Sequence, residues 1–173
     1  MNLIAALRAR RRLVNVGVGV FCLGLLGYGL FLQHYRGLEP CPLCVFQRIA
    51  IIGLAVAFAL AVTVADGWRA MRRVVAVLIG LVAVAGSGVA IRHLYIQSLP
   101  PGEVPVCGAT LDYMWDVFPA MDVLRKVLTG SGECAKIDWT FLGLAMPAWV
   151  LIWLVVLGTL GVLVNWPAAR RPR

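Results

Sequence analysis

Charge is what this sequence has least of. Charged side chains make up 14% of its 173 residues, only eight residues are acidic, and histidine occurs twice. A soluble domain carries about a quarter charged residues, so an ordinary water-soluble fold is excluded. The chain also lacks a second C-x-x-C pair, which removes the usual spacing of a four-cysteine zinc site; no metal is expected. The net charge of +8 sits in short clusters between apolar runs, and no basic groove with interleaved aromatics is present. That excludes a nucleic-acid reading. There are no internal repeats and no low-complexity linker, so residues 1–173 are expected to form a single integral membrane domain.

What is abundant is apolar: 61% of residues, with a mean hydropathy of +0.88. A bilayer core of about 30 Å takes roughly 20 apolar residues as a helix. Four stretches meet that length, at about 13–32, 45–65, 74–91 and 141–164. The predicted fold class is therefore an all-α membrane protein, a four-transmembrane-helix bundle. Arg48 is the one charge inside a predicted span, and Pro147 lies inside the fourth, where neighbouring helices can satisfy the freed carbonyl. The N-terminus has the basic-then-apolar order of a signal peptide. Its apolar run is long enough to span and no small-residue cleavage site clearly follows, so it is read as an uncleaved first helix. Glycines at 17, 19, 24, 27 and 29, and at 80, 86 and 88, predict close helix packing.

Basic residues set the orientation. One side collects ten: Arg8, Arg10, Arg11, Arg12, Arg69, Arg72, Arg73, Arg170, Arg171 and Arg173, with one acid, Asp66. The other has six basic residues against seven acidic. The first side is expected to be cytoplasmic, with both termini there. Loops 33–44 and 96–140 then face outward.

Four of the five cysteines fall in those loops: Cys41 and Cys44 in the first, Cys107 and Cys134 in the second. Cys22 lies within a span and is given no function. Outward compartments permit disulfides. Cys41-Pro42-Leu43-Cys44 can close a small, exchangeable disulfide. Cys44 starts the second helix, and Arg48 follows one turn on, on the same face and about 6 Å deeper at 1.5 Å per residue. The helix N-terminus and the guanidinium both favour a thiolate at Cys44. An intramembrane charge is itself a functional-site signal, against the plainer reading of a side chain snorkelling to the interface.

Between Cys107 and Cys134, Pro119 can start and Gly130 can end a short helix. Met121, Leu124, Val127 and Leu128 would form its apolar side. Such a helix is expected to lie at the membrane interface.

Two readings of the four outward cysteines remain. They are structural staples of a non-enzymatic membrane protein, or they pass electrons. In the second, a protein thiol reduces the long-loop pair and that pair reduces Cys41–Cys44. A lipid-soluble two-electron acceptor, a quinone, reoxidises the latter, with Arg48 stabilising negative charge on its oxygen. His93, at the outward end of the third helix, could supply a hydrogen bond or proton; the alternative is an ordinary interfacial histidine.

The stretch from Glu39 to Arg48, Glu-Pro-Cys-Pro-Leu-Cys-Val-Phe-Gln-Arg, resembles the bacterial disulfide bond formation protein B (DsbB) family. So do Gly130 to Cys134 and Trp139 to Pro147. The likeness extends over essentially the whole chain. It implies a quinone-dependent protein-disulfide oxidoreductase of the bacterial inner membrane. Its partner would be a periplasmic, thioredoxin-fold DsbA-like oxidant, and its acceptor ubiquinone, or menaquinone without oxygen. It further implies that the partner thiolate attacks Cys107 of a Cys107–Cys134 disulfide. Cys134 then attacks Cys41, and Cys44 is left facing the quinone. Arg48, His93 and Gln33 would line the quinone site. Gln47 departs from those members that carry an acid there, which leaves Arg48 without an adjacent counter-charge.

Overall fold

A computed structural model of the chain describes residues 3–100, 116–129 and 132–167. A short helix α1 (Leu3–Ala9) leads into α2 (Arg11–Arg36), followed by α3 (Pro42–Thr63) and α4 (Arg69–Gln97). Two short helices follow, α5 (Ala120–Thr129) and α6 (Gly132–Ala135). A two-stranded antiparallel turn pairs β1 (Thr140–Phe141) with β2 (Leu144–Ala145), and α7 (Met146–Asn165) closes the chain. The four helices α2, α3, α4 and α7 are each long and apolar enough to cross a membrane, so the expected all-α, four-span architecture is present.

Helices α2 and α4 outrun the apolar stretches that announced them, while α3 starts three residues earlier and ends two residues earlier than its stretch. α2 and α4 begin and end among arginine, histidine and glutamine residues, which keep helical geometry where the chain leaves hydrocarbon. The fourth span is the exception, because it starts later than expected. Residues 140–145 form the β1–β2 turn, with Leu142 and Gly143 at positive φ. Pro147 consequently sits in the first turn of α7 rather than in its interior, where its missing N–H breaks no helical bond.

Packing runs α2 against α3, α3 against α4, and α4 most extensively against α7. The apolar core joins residues of all four, among them Cys22, Leu54, Phe58, Ile79 and Leu154. Leu13, Leu23, Leu81 and Val84 stay exposed on the outer surface, the inverse of a soluble protein and the arrangement lipid favours. Close approach depends on only part of the expected glycine set, Gly86 above all, together with Gly158 and Gly161 of α7. A Cβ on Gly86 would stand 2.7 Å from Ala50 Cβ, and one on Gly161 would stand 2.6 Å from the Phe58 ring. Gly158 meets Ala83 in the same way. By contrast, Gly17, Gly19, Gly24 and Gly27 of α2 have nothing within 4 Å of that position. The close glycine contacts therefore lie along α3–α4–α7, and α2 packs on α3 without using those four glycines.

A polar clamp closes one end of the bundle. Asn15 of α2 and Asn165 of α7, both fully buried, exchange amide hydrogen bonds of 3.0 Å in both directions. Beside them Arg11 is buried and donates to the Ala61 and Val64 carbonyls at the end of α3 and to Asp66. These are carbonyls that a helix C-terminus leaves without partners. In turn, Arg11 holds the Asp66 carboxyl below the usual carboxylate range.

Candidate functional site

The opposite end of the bundle holds Cys41, Cys44 and Cys134. α2 ends at Gly37, whose φ of 64° is left-handed, and the Leu38 N–H returns 3.3 Å to the Leu32 carbonyl. A left-handed glycine just past the last helical residue is a common helix stop. It turns the chain into a four-residue connection, Leu38 to Cys41. Cys41 is the N-cap of α3, and Pro42 occupies the first helical turn. The Cys41 Sγ accepts the backbone N–H of Cys44 at 3.3 Å, the capping bond that an N-cap side chain normally supplies. Helix initiation therefore fixes where the first thiol points. The two sulfurs lie 3.0 Å apart as free thiols, within an ångström or so of the roughly 2.05 Å of a closed disulfide. Cys41 is buried and Cys44 is partly open.

His93, on the last turns of α4 and buried, stands at the centre of this end. Its Nδ1 lies 3.0 Å from Gln47 Nε2. An amide nitrogen can only donate, so Nδ1 accepts and the ring proton sits on Nε2. Nε2 is 3.0 Å from the Cys134 carbonyl oxygen, to which it donates, and 3.7 Å from Cys41 Sγ. One imidazole thus touches Cys41 and the backbone of Cys134. Cys134 is buried in α6 and shares an apolar cluster with Cys41, Leu43, Ile96, Val123 and Val127. Through Val123 and Val127, α5 packs onto the bundle while Met121 stays exposed. The helix expected between the paired loop cysteines is there, with its apolar side shared between protein and outer surface.

Arg48 turns toward α2. Nη1 donates to Gln33 Oε1 at 2.6 Å and Nη2 to the Gly29 carbonyl at 3.1 Å. Both acceptors are neutral, so the guanidinium is held in place without being discharged. Below the thiols a cleft of about 1180 Å³ opens between α2, α3 and the start of α7. Cys41, Cys44, Arg48, His93 and Gln33 all line it, as do Trp139, Trp149 and Trp153. Trp149 is oriented by its indole N–H, which donates to the Phe141 carbonyl at 3.0 Å. The β1–β2 turn is thereby tied to the cleft wall.

Of the seven expected site residues, six converge here: Cys41, Cys44, Cys134, Arg48, His93 and Gln33. Cys107 lies outside the described residues. Sequence reasoning passed over two contributors. Gln47 was noted only as a departure from an acid, yet it is buried and fixes the tautomer of His93. Gly29 contributes a backbone carbonyl, for which no side-chain pattern exists. A buried glutamine three residues after Cys44 in an otherwise apolar run was the available signal for the first.

Four spanning helices that present a C-x-x-C thiol pair above a cleft define a membrane thiol–disulfide protein. The family model for disulfide bond formation protein DsbB matches residues 11–164. The chain is 44% identical over 152 residues to disulfide bond formation protein B of Xylella fastidiosa (strain Temecula1), covering 88% of each chain. It is 46% identical over 151 residues to that of Methylococcus capsulatus (strain Bath), covering 87% of this chain and 92% of the relative. With the protein of Acinetobacter baylyi it shares 47% over 124 residues, 72% of each. The chain belongs to the DsbB family of membrane disulfide bond formation proteins, and is a disulfide oxidoreductase.

Proposed function

We propose that this protein reoxidises a periplasmic dithiol protein of the DsbA type and passes the electrons to membrane quinone. The observation that carries the reading is the Cys41–Cys44 pair, 3.0 Å apart at the head of a spanning helix and lining the same cleft as Arg48 and His93. The cysteine end would face the periplasm of the inner membrane, and both termini the cytoplasm, following the distribution of arginines.

The residues present fit a quinone. The cleft is mostly apolar and aromatic with a few convergent polar groups, the usual make-up of a small-molecule site. Its volume of about 1180 Å³ leaves room for a ring and part of a tail. Arg48, with Gln33 beside it, and His93 are the residues that would hold the head group. Ubiquinone, or menaquinone in its place, supplies the capacity to accept two electrons and two protons.

The chain's own part is thiol exchange. A thiolate of the partner attacks Cys107 Sγ of a Cys107–Cys134 disulfide, and Cys134 leaves as thiolate. The partner's second thiol then displaces Cys107, so the partner departs oxidised by two electrons. Cys134 attacks Cys41 Sγ of a closed Cys41–Cys44 pair; the new bond is Cys41–Cys134 and the leaving group is the Cys44 thiolate. Attack by Cys107 on Cys134 releases Cys41 and restores the loop disulfide. Cys41 and Cys44 are now a dithiol, ready to be closed again by loss of two electrons and two protons to the quinone. Arg48 contributes a positive charge, held by two neutral acceptors, where negative charge accumulates. His93 holds Cys134 against Cys41.

The test is quinone reduction by purified protein, followed by loss of quinone absorbance, with a reduced DsbA-type protein as electron donor. Turnover is expected with all four loop cysteines present and is lost in Cys44→Ala. Absence of turnover in the intact protein overturns the reading. A staple role for the same cysteines would leave them oxidised whatever the redox state of the partner supplied.

A further inference from the structure

A second cavity, of about 670 Å³, opens at the clamped end of the bundle among α1, the start of α2 and the start of α4. Five arginines line it, Arg8, Arg10, Arg11, Arg12 and Arg72, against one carboxylate, Asp66. Arg11 and Asp66 already neutralise each other at 2.8 Å, and the remaining Arg11 donors go to Ala61, Val64 and Asn165. Arg8 spends its Nε on the neutral Leu163 carbonyl. The Nε of Arg72 is buried and has no hydrogen-bond partner among the described residues. The cavity thus combines an excess of positive charge with a buried donor in want of an acceptor.

We propose that this cavity binds the phosphate of an anionic phospholipid headgroup, with Arg72, Arg12 and Arg8 as its donors. Guanidinium forks match phosphate oxygens in geometry as well as charge. An acceptor bound there would satisfy Arg72 Nε and offset the repulsion among the arginines. Two observations favour a lipid over a free anion. The cavity lies at the ends of the spans, where Trp68 and Trp166 are exposed, and exposed tryptophans mark headgroup level in membrane proteins. Its remaining lining, Ala5, Ala9 and Leu13, is apolar, and Leu13 continues onto the lipid-facing surface. Basic pockets at helix ends are suited to such headgroups. The site is independent of the thiol chemistry at the other end.

The experiment places the full-length protein in nanodiscs of phosphatidylcholine, with or without phosphatidylglycerol. Retained lipid is read by native mass spectrometry, and thermal stability is measured alongside. Phosphatidylglycerol is expected to be retained over phosphatidylcholine and to raise the midpoint. Arg72→Gln and Arg12→Gln should each lower that preference about five-fold, the equivalent of ~1 kcal/mol per arginine near the surface. Arg72→Lys should keep part of it, and Arg36→Gln, at the cysteine end, all of it. Equal retention of the two lipids by the unsubstituted protein overturns the proposal, and so does an unchanged preference in the Gln variants. Inorganic phosphate added to phosphatidylcholine discs is the remaining arm. If it raises the midpoint as phosphatidylglycerol does, the site takes the free anion and the lipid assignment fails.

Discussion

His93 Nε2 stands 3.0 Å from the Cys134 carbonyl oxygen, so one imidazole on α4 holds the segment that carries the second loop's cysteine. The same nitrogen is 3.7 Å from Cys41 Sγ. Both of the groups that the proposed interloop step would join are therefore referenced to one ring, and Gln47 sets the orientation of that ring.

Removing the ring should separate the two cysteines. His93→Ala is expected to slow formation of the Cys41–Cys134 bond, up to about 100-fold, the scale on which an ångström of misplacement acts. The bond is trapped with alkylating agent in a Cys107→Ser background, which keeps the Cys41–Cys44 disulfide to be attacked and removes the thiol that resolves the new bond, and is followed on non-reducing gels. Gln47→Leu should reproduce part of the effect, and Gln47→Glu should replace the buried donor with an acceptor and so draw the ring proton to Nδ1. An unchanged rate in His93→Ala would remove this role.

Arg48 reaches two acceptors on α2 with two different nitrogens. A lysine keeps the charge but has no planar fork. Arg48→Lys is therefore expected to raise the KM for quinone about 10-fold, the loss of one charge-assisted hydrogen bond. The KM for the dithiol partner should hardly change. Equal rises in both would show that the residue supports the fold and not the cleft.

The glycines of α2 and α4 should respond in opposite ways. Gly86→Ala drives a methyl to within 2.7 Å of Ala50 Cβ and 2.9 Å of Leu154 Cδ1, an overpacking that costs about 1–3 kcal/mol. Gly27→Ala meets nothing within 4 Å and should be neutral or stabilising by up to ~1 kcal/mol through helix propensity. Thermal unfolding in detergent, read by circular dichroism, separates the two.

The Arg11–Asp66 pair makes stability depend on acid. The folded state holds the Asp66 carboxyl below its ordinary value. Its contribution is thus complete at neutral pH, above the unfolded value of about 4, and is lost as pH falls from there through the folded one. Asp66 is largely exposed, so the contribution is small, under about 1 kcal/mol. Unfolding midpoints measured across pH 3 to 7 (roughly the carboxylate range) should converge for Asp66→Asn and the unsubstituted protein at the acid end and differ at neutral pH.

Much of this arrangement is legible in the sequence, because its signals are local. Long apolar runs announce the four spans, and the spacing Cys41, Cys44, Arg48 places three site residues on the first turns of one helix. The rest depends on contacts that spacing cannot carry. Gln47 and His93 are 46 positions apart, and no periodicity joins them. The β1–β2 turn is hidden because Phe141, Leu142 and Leu144 are as apolar as a span, so hydropathy merges them with α7; only Gly143 hints at a reversal. Arg11 reads as one more interfacial cation, yet it is 2% exposed and caps α3. Val123 belongs to the buried side of α5, although the apolar spacing had picked out Met121, Leu124, Val127 and Leu128. Docking against α3 and α6, rather than the helical pattern alone, determines which side is buried.

The left-handed stop at Gly37 has a consequence for distance. Four residues, Leu38 to Cys41, connect it to α3, and a chain of that length reaches at most about 14 Å. Cys41 is further held by its own capping bond. The C-x-x-C pair is on a short leash and cannot travel to meet a reactant. Every exchange partner must be delivered to it, and lengthening the 38–41 connection would unmoor the receiving thiol without altering a single residue of the cleft.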